Sequence, residues 1–267
     1  MTRHLSAYRW VRAGDSGRLA YRIGGSNTGE SILLLHGMAS RSDTWDHVAG
    51  VLARAGRRVI APDLRGHGRS TRSASYPLDL FRADVFQLLD HLEIGRTDLI
   101  GHSLGAHVGL SIAAEQPGRI RRLVIEETPV PPRDAAAAVA LREELKHRRP
   151  TVWSRLGQGL RVALGNRFDW RMTSPTFTAL RSPMPEWWNA LPAIQAPTLL
   201  LAGLRSHINP TRLQALAAII PDARICLLDG SHRLHSETPQ AFLEAALPFL
   251  LEPVPEAADG TRVAAAS

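Results

Sequence analysis

Short, largely apolar runs recur along the chain at residues 31–35, 58–61, 97–100, 120–125, 198–202 and 224–228, each of strand length. Between them the apolar positions change to a helical period. In 44–55, Trp45, Val48, Val51 and Leu52 share one face, and similar patterns cover 78–92, the stretch after Ser103 through Ala114, 211–219 and 239–251. Residues 8–23 give two extended runs about Gly14-Asp15-Ser16-Gly17, an opening hairpin, followed by a turn at 24–30. Strands alternating with helices predict a mostly parallel sheet covered on both faces, with functional groups gathered beyond the carboxyl ends of its strands.

The rhythm stops at Pro129-Val130-Pro131-Pro132 and resumes after Ala196-Pro197. The intervening stretch has helical runs at 135–148 and 152–164 and carries Trp153, Phe168, Trp170, Phe177, Trp187 and Trp188. Two roles are open to those rings: shaping an apolar cavity, or packing the insertion onto the core, which is the expectation for most of them. The tail from 252 to 267 is small and polar and reads as disordered.

Composition narrows the picture. With 44% hydrophobic and 21% charged residues, the 267-residue chain is that of a globular protein able to bury a sizeable core. No apolar run approaches the roughly 20 residues of a membrane helix, and Met1–Ser6 lacks the apolar centre of a secretory signal; a cytoplasmic protein without membrane partners is expected. The single cysteine, Cys226, excludes an intrachain disulfide and reads as a buried, inert thiol. The net charge of +7 is carried almost wholly by arginine, Lys146 being the only lysine. No basic block is interleaved with aromatics, and 142–149 mixes in Glu143 and Glu144, so nucleic acid is not an expected partner.

The chemistry centres on Gly101-His102-Ser103-Leu104-Gly105, a G-x-S-x-G between an apolar strand and a helix. At such a turn the small neighbours permit a cramped backbone, and the serine hydroxyl is pushed out of the sheet's end. Three further blocks accompany it: His36-Gly37 after a strand, Asp63-Leu64-Arg65-Gly66-His67-Gly68-Arg69-Ser70, and Gly230-Ser231-His232 followed by His235, Glu237 and Pro239. In this order the blocks resemble the α/β-hydrolase superfamily over roughly residues 10–251, apart from the stretch between about 130 and 190. The resemblance implies an α/β-hydrolase fold: a mostly parallel eight-stranded sheet, a core formed by 1–128 and 191–251, and a helical cap at 129–190.

A serine hydroxyl needs an adjacent base. Among the 11 histidines, His232 follows a strand end and stands where the resemblance puts that base. His235 is expected to be structural. His36 and His102 lie in motifs whose backbone matters more than their rings, His67 lies in a loop and His107 on the helix after the serine. No spacing of histidines suggests a metal site, and no cofactor is expected. The resemblance further implies that the backbone N–H groups of Met38 and Leu104 form the oxyanion hole.

The carboxylate that orients the histidine departs from the usual pattern. The family's common position falls on Ser206, and residues 203–221 contain no carboxylate before Pro221. A minority of the superfamily, including haloalkane dehalogenases, carries the acid one strand after the nucleophile. There this chain has Glu126-Glu127, of which Glu127 aligns better, and adjacent residues leaving a strand diverge. The expected activity is cleavage of a small to medium carboxylic ester or lactone by Ser103, His232 and Glu127. A carbon–carbon bond hydrolase or a perhydrolase could use the same three groups, and a catalytically disabled ligand-binding protein is the alternative from another class. A serine at 103 argues against dehalogenase or epoxide-hydrolase chemistry, which uses a carboxylate nucleophile.

Overall fold

A computed structural model describes residues 5–14, 17–147, 168–206 and 208–252. The expected 152–164 helix with Trp153, and the tail beyond residue 252, lie outside them.

Eight strands form one sheet in the order β1-β2-β4-β3-β5-β6-β7-β8. β1 (Arg9–Ala13) and β2 (Gly17–Gly25) make the opening hairpin, and β2 pairs antiparallel with β4 (Arg58–Pro62). β3 (Ser31–Leu35), β5 (Thr97–His102), β6 (Ile120–Glu126), β7 (Thr198–Gly203) and β8 (Ala223–Leu228) continue it in parallel. β3, β5 and β7 are buried along their whole length, which is why they read as largely apolar runs.

Helix α1 (Asp46–Arg54) and the helix Pro239–Leu251 contribute to the apolar layer on one face, with Trp45, Val48, Leu52, Phe242 and Phe249. Helices α2 (Leu78–His91) and α3 (Leu104–Glu115) contribute to the other, with Phe81, Val85, Leu88, Val108 and Ile112. The expected 44–55 helix divides into a 3₁₀ turn, Ser42–Trp45, and α1. The one expected at 211–219 runs Pro210–Ala217 instead: Asn209 caps it by accepting from the Thr211 amide at 3.0 Å, and Pro210 occupies the first turn.

Register positions the site. In the β5/β6 ladder His102 is level with Glu126, and in β6/β7 Glu126 is level with Leu201. Residue 103, residue 127, the loop after Gly203 and the loop after Leu228 therefore leave four neighbouring strands at the same end of the sheet.

Between β6 and β7 lie α4 (Ala135–His147), Thr173–Leu180 and Pro185–Ala190. Trp188 is buried and donates to the Pro131 carbonyl at 2.9 Å, while Trp187 stacks on His107 with ring centroids 5.1 Å apart. Trp170 departs from the packing expectation, being 72% exposed. Cys226 is only partly buried, because β8 is the sheet's edge and leaves Ile225 and Leu227 open as well. Some of the arginine is structural: at the far end of the sheet Arg57 and Arg121 close on the fully buried Asp98, and Arg121 also reaches Glu30 at 2.9 Å. No described helix is long and apolar enough to cross a membrane.

Candidate active site

Ser103 sits between β5 and α3 with φ 50° and ψ −112°. A residue with a β-carbon rarely holds such a backbone, and its persistence means the surroundings over-determine it. The two glycines of the motif show how. A β-carbon on Gly101 would come within 2.6 Å of the Gly105 carbonyl oxygen, and one on Gly105 would strike the carbonyl of Leu35 in β3. The helix thus lies directly on the strand ends, and the Ser103 amide is tied to the Glu126 carbonyl at 2.9 Å.

His232 follows β8, and its Nδ1 lies 2.9 Å from Glu127 Oε2. Glu127 is fully buried and has φ 54°, so the chain turns sharply as it leaves β6. Its carboxylate accepts from the Gly203 amide at 2.6 Å, and its second oxygen also accepts from the Ser206 hydroxyl. Ser206, at the position where an acid was missing, is therefore a ligand of the acid next door. His102, the residue before Ser103, completes the junction: its Nε2 donates to the His232 carbonyl at 2.7 Å, with ring centroids 4.9 Å apart.

Glu126 points the other way. Its carboxylate takes the His235 amide at 3.1 Å and His235 Nδ1 at 2.7 Å, while His235 Nε2 meets Thr44 Oγ1 at 2.8 Å. His235 is buried. His102, Glu126 and His235 each bring a possible metal-ligand atom within 4.8 Å of the others, a convergence invisible in the spacing. Both ring nitrogens of His235 are already hydrogen-bonded, so a cation there would have to displace a proton. Burial, with His235 and His232 close by, holds the His102 imidazole well below its ordinary pKa and hence neutral.

The loop after β3 faces Ser103 from the other side. A β-carbon on Gly37 would lie 3.1 Å from that of Ser103, Ala39 has φ 57°, and the Met38 amide finds no acceptor among the described residues. Leu104 opens α3, where helix geometry leaves its N–H without a partner in the preceding turn. His36, its pKa lowered to about 4 by burial, accepts from the Leu64 amide through Nε2 at 2.9 Å. Asp63 holds the Ser42 and Arg69 amides at 2.8 and 2.9 Å. Three of the four described non-glycine residues with positive φ, Ala39, Ser103 and Glu127, fall at this one end of the sheet.

The family model described as Alpha/beta hydrolase family matches residues 32–245, which run from β3 into the last helix. The chain belongs to the alpha/beta hydrolase family. Within this family it is 27% identical over 260 residues to the sn-1-specific diacylglycerol lipase ABHD11 of Mus musculus, covering 87% of this chain and 85% of that one. The crystal structure of a hydrolase from Pseudomonas aeruginosa superposes with a TM-score of 0.74 at 28% identity, covering 91% of this chain and 98% of that one. The thioesterase domain from the curacin biosynthetic pathway does so with a TM-score of 0.71 at 27% identity, covering 92% and 99%. Among alpha/beta hydrolases, then, the likeness runs through most of the chain and is not confined to the serine motif.

Proposed function

We propose that this alpha/beta hydrolase is a serine hydrolase of a small to medium carboxylic ester or lactone. The observation that carries the proposal is the approach of Glu127 Oε2 to His232 Nδ1 at 2.9 Å, with the His232 carbonyl joined to His102, the residue before Ser103. Glu127 fixes the tautomer of His232, leaving Nε2 to take the Ser103 proton as Oγ attacks the carbonyl carbon. The oxyanion so formed is received by the Met38 and Leu104 amides. Collapse passes the proton from His232 to the leaving alkoxide, and water activated by the same histidine then releases the acid. Residues 129–190 act as the cap that encloses the acyl group. The relatives named as lipase and thioesterase are consistent with acyl transfer.

Carbon–carbon bond hydrolysis or perhydrolysis would use the same groups, and no observation favours either. The ligand-binding alternative drew its force from the missing acid at 206. The contacts of Ser206 and His232 with Glu127 support the hydrolase reading instead.

The test is a panel of p-nitrophenyl esters of increasing chain length together with a fluorophosphonate label. Turnover and labelling are expected in the wild type, with a loss on the order of 10⁶-fold in kcat for Ser103→Ala. A wild-type protein that binds small molecules but neither turns over nor labels would overturn the proposal.

A further inference from the structure

The Asp63–Ser70 block is left without a task by the reaction just described, and its histidine occupies an unusual position. His67 is fully buried. Its Nδ1 lies 2.9 Å from the Arg65 carbonyl, and its Nε2 lies 3.2 Å from the Ala39 amide. A carbonyl can only accept and an amide N–H can only donate, so the ring is the neutral tautomer with hydrogen on Nδ1 and a lone pair turned to Ala39. Ala39, at φ 57°, immediately follows the Met38 amide assigned to the oxyanion. The Ala39 amide is the next peptide along from the Met38 N–H, so what holds Ala39 constrains the loop that carries that donor.

The other side of His67 meets the segment of the cap that holds Phe168 and Asp169. Phe168 forms an isolated bridge with His67, its ring centroid 5.0 Å away, and the Asp169 amide donates to the Gly66 carbonyl at 2.8 Å. Tyr76 clamps the same segment, its hydroxyl donating to Asp169 Oδ2 at 2.7 Å. His36 closes the remaining edge, its ring perpendicular to His67 at 4.9 Å.

We propose that His67 is a positioning residue for the oxyanion hole, holding the loop of Met38 through the Ala39 amide while itself seated by Phe168 of the cap. The inference rests on the assignment of Met38 made above. It couples cap and chemistry: loss of the Phe168 contact loosens His67, and the loop with it. Burial, with His36 alongside, lowers the pKa of His67 to about 3, so the accepting lone pair persists across the pH range in which the histidine base works.

The test compares His67→Leu, His67→Gln and Phe168→Ala with the wild type in two measurements. One is amide exchange of residues 38–40; the other is kcat and KM on a p-nitrophenyl ester. Leucine removes the acceptor, and we expect faster exchange and a kcat lower by about 10- to 100-fold, since this is a misdirected rather than an absent donor. KM should stay within about threefold, because the oxyanion is absent from the ground state. Glutamine can present its carbonyl near the place of Nε2 and should recover most of the loss; Phe168→Ala should fall between. Unchanged exchange and kcat in a folded leucine variant would overturn the idea, as would a glutamine variant no better than leucine or a loss confined to KM. Should leucine prevent folding, the glutamine and Phe168→Ala variants decide on the same terms. A wild-type protein without turnover would sink the hydrolase proposal, while the exchange data would still judge the grip of His67 on Ala39.

Discussion

At the scale of single residues, Glu126 and Glu127 separate by direction. Consecutive residues leave a strand on opposite sides, and the two carboxylates end on different histidines, Glu127 on His232 and Glu126 on the buried His235. Glu127→Gln should therefore cost several orders of magnitude in kcat, up to about 10⁴-fold, as loss of the tautomer-fixing acid does elsewhere. Glu126→Gln should be felt mainly in thermal stability, because a buried charged hydrogen bond is broken. Kinetics and melting of the two variants give opposite patterns if the assignment is right. Ser206 sharpens the test. In the double variant Glu127→Gln, Ser206→Asp, a carboxylate is restored one loop away, and a recovery of at least about tenfold over Glu127→Gln alone is expected in kcat. No recovery would mean that the loop after Gly203 cannot bring an acid to His232.

At the scale of elements, the decisive contact is between α3 and β3. A methyl group on Gly105 would meet the Leu35 backbone, which cannot move without disturbing the sheet. Gly105→Ala should destabilise the protein by more than about 2 kcal/mol, read from denaturant unfolding. These elements were legible in the sequence because buried parallel strands leave continuous apolar runs and helices leave a stripe. The serine motif was legible because its glycines answer to backbone contacts. The 3₁₀ turn at Ser42–Trp45 and the short helices Thr173–Leu180, Pro185–Ala190 and Leu234–Glu237 were not, since segments of one or two turns carry too few positions for a period to register. The ties of His102 to the His232 carbonyl and of His67 to the Ala39 amide were also hidden. They join a side chain to backbone far away in the chain, and a backbone partner leaves no trace in residue type.

At the scale of the whole molecule, three buried histidines contribute to the response to acid. His36, His67 and His107 have pKa values lowered to about 4, 3 and 4, burial being the main cause, against an unfolded value of about 6.5. The unfolded chain therefore binds protons that the folded one refuses. Their stabilising effect is fully present above about pH 6.5 and is lost as the pH falls toward 4. Melting temperature should be level near neutrality and drop steeply below about pH 6. His107→Phe, which keeps a ring against Trp187 but cannot take a proton, should make that drop shallower. An acid limb as steep in the variant as in the wild type would show that His107 has no part in it.

The left-handed backbone at Ser103 has one more consequence, for laboratory evolution. Glycine occupies that conformation freely, whereas serine is strained in it by something on the order of 1–3 kcal/mol. A library sorted only for heat tolerance, blind to turnover, should thus drift toward glycine at 103 and yield sturdier, silent proteins. Glu127 would resist the same drift, for all its own positive φ, because its carboxylate is the shared anchor of Gly203, Ser206 and His232.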